Sequence, residues 1–181
     1  MSKQVQTIRM IEQYGNLKVG FIPLDIVNAV IIAANVVQNT TEGGRPDGNT
    51  APTLQRVNQA TDKALRVSWA AASVAELQFP PVPLPPDLDD SAPIEVHLIC
   101  AKDANANTVN IDVQAFFGVG DTECGAATPT IAQARAEYAV TLAASDVAAA
   151  PEVLNISLVP SAHAGDALYL DGAWLEYARK A

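Results

Sequence analysis

Short runs in which apolar and polar residues alternate recur through the last two thirds of the chain, each closed by glycine, proline, asparagine or aspartate. A period of two places every second side chain on one face of a strand, so such runs predict half-buried β-strands. Leu65, Val67 and Trp69 alternate with Arg66 and Ser68, and Leu77 and Phe79 follow. Ile94, Val96 and Leu98 are set against Glu95 and His97. Val109, Ile111, Val113, Ala115 and Phe117 are set against Asn110, Asp112 and Gln114. Tyr138, Val140 and Leu142, then Leu154, Ile156 and Leu158, continue the pattern. In the last run (Leu168, Leu170, Trp174, Tyr177) the apolar parity changes around Asp171-Gly172, where a β-bulge would restore the register. About seven or eight strands without βαβ alternation predict a mainly β fold, an antiparallel β-sandwich or jelly roll, over residues 61–181.

The first sixty residues have a different texture and read as an N-terminal arm and linker. Leu17, Val19 and Phe21 alternate with Lys18 and Gly20, a short strand that ends at Pro23. Residues 25–38 have two readings: a short helix capped by Asp25, or extended chain favoured by the density of Val and Ile. Thr40 to Pro52 (TTEGGRPDGNTAP) is a loop or hinge. Within the body, Pro80, Pro81, Pro83, Pro85 and Pro86 enforce an extended path, expected to be a rigid crossover between sheets.

Composition narrows the function more than the fold. With 49% apolar and 17% charged residues in 181, the chain can build a core and is not of the disordered class. A net charge of −9 opposes nucleic-acid binding. The charge is uneven: Lys3, Arg9 and Lys18 against Glu12 make the first twenty residues mildly basic ahead of an acidic body. The apolar stretch Ile26 to Val37 is broken by Asn28 and Asn35 and falls short of the ~20 residues that span a bilayer, so no membrane role is expected. No apolar leader follows Met1, which predicts cytosolic synthesis. Cys100 and Cys124 are isolated, and buried free thiols are expected before a disulfide.

The candidate chemistry is thin. Asp87, Asp89 and Asp90 do not complete a calcium loop and read as a solvated turn or cap. Ser161, His163 and Asp166 lie close in sequence, but no Gly-x-Ser-x-Gly elbow supports a hydrolase triad. Gly118-Val119-Gly120-Asp121 lacks the Lys-Ser/Thr ending of a phosphate loop and reads as a hairpin turn. The expectation is therefore no catalytic residue, no metal and no cofactor. Trp69 shares a face with Leu65 and Val67 and belongs in the core. Tyr169, Trp174 and Tyr177 form a candidate exposed aromatic site for sugars; Trp174 and Tyr177 fall on opposite parities.

FIPLD at Phe21 to Asp25, RVNQATDKALRVSW from Arg56, LQFPPVPLPPDLDDSAPIEVHL from Leu77, VGDT from Val119 and ISLVPSAHAGDALYLDGAWLEY from Ile156 together resemble a group of small virion proteins of tailed bacteriophages, the capsid decoration or cement proteins. The resemblance covers most of the chain, in scaffold motifs rather than catalytic ones. It implies a jelly-roll body, commonly a homotrimer, assembled in the host cytoplasm and seated on the capsid exterior over junctions between major capsid subunits. In that setting Lys3, Arg9, Lys18, Phe21 and Ile22 of the arm are candidate contacts with the major capsid protein. The alternative is a carbohydrate-binding head-fibre or adhesin module.

Overall fold

The computed structural model describes residues 18–38, 43–46, 52–57, 64–118, 123–124, 128–148 and 153–180. Their strands form two antiparallel sheets. Sheet one contains β1 (Val19–Pro23), β4 (Thr53–Arg56), β5 (Leu65–Trp69), β8 (Ile94–Lys102), β11 (Ala136–Leu142) and β13 (Leu168–Ala178). Its order is β11-β8-β13-β5-β4, and β1 also pairs with β13. Sheet two contains β2 (Val30–Ala33), β3 (Val36–Val37), β6 (Glu76–Gln78), β7 (Val82–Pro83), β9 (Val109–Phe117), β10 (Thr130–Ile131) and β12 (Val153–Pro160). Its order is β10-β9-β12-β6-β2-β3, with β7 paired to β12. Among the described residues one short helix, α1 (Ala144–Ala148), lies between β11 and β12. The expected β-sandwich is the fold observed.

The alternation read from sequence sets what lies between the sheets. All five odd-numbered residues of β9 are buried, as are Leu154, Ile156 and Leu158 of β12. They face Val96, Leu98 and Cys100 of β8 and Val67 and Trp69 of β5 in one continuous core. Each such aliphatic or aromatic side chain contributes on the order of 1.5–3 kcal/mol by leaving water. Trp69 is fully buried, and its indole N–H donates to the Ala75 carbonyl at 2.9 Å, so the ring's polar edge is not orphaned. Cys100 and Cys124 are both buried and neither forms a disulfide, as expected; Cys124 Sγ donates to the Ala115 carbonyl at 3.1 Å.

The bulge stands where the parity change placed it. The pairing of β13 with β8 slips between Leu170 and Gly172. Before the slip Leu168 and Leu170 point inward; after it Ala173, Leu175 and Tyr177 do. The bulged Asp171 is held by the guanidinium groups of Arg66 at 3.0 Å and Arg135 at 2.9 Å. The proline-rich segment runs along β12 as expected of a crossover: Phe79 N–H donates to Ile156 O, and β7 pairs with the start of β12.

One open alternative is resolved and one expectation requires correction. Residues 25–38 contain no helix. Asp25 Oδ1 accepts the N–H groups of Val27 (2.9 Å) and Asn28 (3.1 Å), forming a local Asx turn instead of a helix cap. Val30 to Ala33 then runs as a strand and folds back through Ala34 and Asn35, at φ of 50° and 61°, into β3. Consecutive positive φ values are what a two-residue hairpin turn requires. Ile31 N–H goes to Gly44 O, so the intrahelical bond is not made. Nor does residue 60 divide an arm from a body. β1 pairs with β13 from Val19↔Ala178 to Pro23↔Trp174, β2 pairs with β6, and β4 with β5. The described residues before 61 supply strands to both sheets, because the edges left by β13 and β6 need backbone partners.

Candidate functional site

The outer faces of the two sheets differ in chemistry. On sheet two, the inward set of β9, β12 and β6 leaves Gln114, Asn155, Ser157, Gln78 and Phe116 pointing away from the core. Register aligns them: Ser157 lies opposite Gln114 on one side and Gln78 on the other, and Asn155 opposite Phe116. Gln114 Nε2 donates to Asp112 Oδ2 at 2.9 Å. The side-chain amides of Gln78 and Asn155 make no hydrogen bond among the described residues. This row of uncharged donors and acceptors lies next to one aromatic ring on a rigid sheet.

On sheet one, the sequence-predicted aromatics do not assemble into a platform. Tyr177 is only 6% exposed; the bulge turns it inward, its ring packs in the core, and its hydroxyl meets Asp87 Oδ1 at 3.3 Å. It is therefore withdrawn from the exposed set. Trp174 does point outward, but one face of its indole is stacked on His97, with centroids 4.9 Å apart and planes 3° from parallel. Tyr169 is outward on the other side of the bulge, with the Arg66 guanidinium 4.5 Å over its ring. Burial, followed by the charge of Asp103, raises the Tyr169 phenol above its ordinary pKa, which the Arg66 cation only partly offsets.

Of the candidate capsid contacts, Lys3 and Arg9 lie outside the described residues. Lys18 is exposed beside β1, and its carbonyl accepts Arg179 N–H at 2.8 Å. Phe21 is 56% exposed, pointing outward next to Glu176, while Ile22 packs against the core. The two halves of this small patch thus have different duties.

The loop that carries Ser161, His163 and Asp166 is structural. Ser161 Oγ accepts Asn110 N–H at 2.9 Å, and His163 Nδ1 lies 2.6 Å from Ser161's backbone carbonyl, not its hydroxyl. Asp166 accepts the N–H groups of Ala106 and Asn107 and pairs with Lys102 Nζ at 3.3 Å. Burial pushes the Asp166 carboxyl up, yet those amides and the lysine outweigh it and hold it below the usual carboxylate range. Ser161 and Asp166 bolt this loop to others, and His163 braces it from within. Near the chain end, Asp87 pairs with Arg179 and Asp90 with Lys180, while Asp89 caps its own turn through Ser91. Apart from the local contacts of Asp89 with Ser91 and of His163 with Ser161, these partners lie at distant positions that sequence spacing does not reveal.

No family model and no curated protein matches the chain. Solved structures do. A cleaved adhesin domain of Lys-gingipain from Porphyromonas gingivalis superposes with a TM-score of 0.52 at 15% identity, over 87% of this chain and 98% of that one. The CBM36-1 domain of a multidomain xylanase from the hindgut metagenome of Trinervitermes trinervoides gives 0.47 at 9% identity, over 90% and 99%. TmCBM61, solved in complex with β-1,4-galactotriose, gives 0.45 at 12% identity, over 94% of each chain. Carbohydrate-binding modules recur among the structural neighbours; at 15% identity, what the chain shares with the adhesin domain is the fold.

Proposed function

We propose that this chain is a non-catalytic β-sandwich module that binds a neutral glycan across the outer face of sheet two. The observation that carries the reading is the outward set Gln114, Gln78 and Asn155 with Phe116 beside it, brought together across strands by the pairing of a buried Ser157. A sugar is an uncharged array of hydroxyl groups with apolar ring faces. Side-chain amides can donate to and accept from such hydroxyls, and an aromatic ring packs on a pyranose face. Fixing these groups on adjacent strands limits the conformational entropy lost on binding.

Affinity electrophoresis through gels containing neutral β-linked polysaccharides tests it. Retardation is expected, with loss in Gln78→Ala and Asn155→Ala variants whose melting is unchanged. Free migration in every neutral glycan would remove the reading.

A second reading, virion assembly, keeps the support of the phage decoration-protein resemblance and of the exposed Phe21 on β1 and Lys18 just before it. Under it the chain, as a homotrimer, decorates the capsid exterior by contacting the major capsid protein. Saturable co-sedimentation with undecorated capsids and increased capsid heat resistance are the expected results; absence of both would end it.

A further inference from the structure

Sheet one ends at β11, a strand of 7 residues paired on one side only, to β8. The neighbouring strand shows which of its backbone groups are left over. Lys102 N–H goes to Ala132 O, on the β11 side of β8, and Asp103 N–H goes to Ala167 O, on the β13 side. Donor direction alternates from residue to residue along a strand, so the even-numbered residues of β8 direct their N–H groups toward β11. Leu98↔Tyr138 and Val96↔Val140 are thus hydrogen-bonded pairs. The N–H and C=O groups of Glu137, Ala139 and Thr141 therefore point away from the sheet, and among the described residues no hydrogen bond reaches them. The side chains of all three are exposed.

The other sheet boundaries are shorter or closed. Strands β3 and β10 have 2 residues each and β4 has 4, while β1 ends in Pro23, which lacks an N–H. Natural sheet edges are guarded by lysine, proline or a bulge. β11 reads AEYAVTL in unbroken register and has none of these. Its one charge is held on its own sheet: His97 Nδ1 lies 2.8 Å from Glu137 Oε1, and Glu95 and Glu176 flank the same imidazole.

We propose that β11 is a self-association edge, on which a second copy of this chain pairs antiparallel about a two-fold axis at Ala139 and joins the two six-stranded sheets into one. The free backbone groups select this register. With Ala139 opposite Ala139 of the partner subunit, Glu137 faces the partner's Thr141, and every open residue enters a hydrogen-bonded pair, roughly six backbone bonds in all. Centring the axis on Tyr138 or Val140 leaves roughly four. The same register keeps like charges apart, since the two copies of Glu137 lie ~13 Å from each other along the seam, beyond the ~8 Å screening length of physiological salt. On the inner face Tyr138 comes opposite the partner's Val140, so the apolar layers meet across the seam. A second copy is the occupant because β11 is complementary to itself. The seam leaves the outer face of sheet two free and does not rest on the glycan reading.

Sedimentation velocity of the full chain from about 1 to about 200 µM tests the association, and single cysteine substitutions test the register. A monomer passing to a dimer is expected. Ala139→Cys sets two thiols at the axis with Cα atoms ~5.5 Å apart, within disulfide reach, and air oxidation should give a covalent dimer. Thr141→Cys, whose copies stand ~13 Å apart, should not cross-link, nor should the parent chain, whose Cys100 and Cys124 are buried. Ala139→Pro removes an outward N–H that β8 does not use, and should weaken the dimer about tenfold with little change in melting temperature. Should the proline lower the melting temperature, the two cysteine variants decide. A monomer at every concentration, a trimer, equal cross-linking at residues 139 and 141, or a well-folded Ala139→Pro variant that dimerises as tightly as the parent would overturn the proposal.

Discussion

The Tyr177 ring lies against the backbone of Gly20, its register partner in the β1–β13 pair, so closely that a Cβ at residue 20 would overlap the ring. Glycine there is what lets β1 seat on the sheet. Gly20→Ala should destabilise the protein by about 1–3 kcal/mol, the cost of overpacking a closed site. Urea unfolding followed by tryptophan fluorescence measures it; a change within error would mean that β1 is loosely attached.

The hairpin joining β2 and β3 places Ala34, a residue with a Cβ, at φ of 50°. Ala34→Gly removes that strain at some cost in unfolded-state entropy, and a net gain of up to about 1 kcal/mol is expected. A lower melting temperature would contradict it.

Lys102 and Asp166 are both buried and face each other across the loop clamp. Lys102→Met should cost on the order of 3 kcal/mol by stranding the carboxylate. The Asp166 carboxyl titrates below its unfolded value of about 3.9, so its stabilisation is complete above that value and is lost as pH falls through the folded one. The urea midpoint should therefore drop in acid below about pH 4, and drop less steeply in Asp166→Asn.

Burial, followed by the nearby Asp171 charge, pushes the Cys100 thiol up to about 12. Since the thiolate is the reactive species, Cys100 should resist alkylation at pH 8 in the native protein and react once denatured. Mass spectrometry after iodoacetamide treatment decides; native labelling of Cys100 would show that the core opens locally.

Phe21→Ser removes an exposed ring that the core does not use, so stability should change by less than about 0.5 kcal/mol. Under the virion reading the same substitution should weaken capsid co-sedimentation, while under the glycan reading polysaccharide binding is untouched.

Period-two alternation determined, from the sequence alone, strands β5, β6, β8, β9, β11, β12 and β13, the burial of Trp69 and the bulge at Asp171-Gly172, but not the two-residue strands β7 and β10. A strand's inward set is local, and one extra residue shifts its parity visibly. The tertiary structure decided that β1, β2 and β4 belong to the sheets, since residues alone do not say which edge lacks a partner. It also decided that Tyr177 is covered and Trp174 shared with His97. Above all, it brought Gln78, Gln114 and Asn155 into one row and Glu95, Glu137 and Glu176 around one imidazole. Those groupings cross strands far apart in the chain, and pairing register, which no single strand carries, is what assembles them.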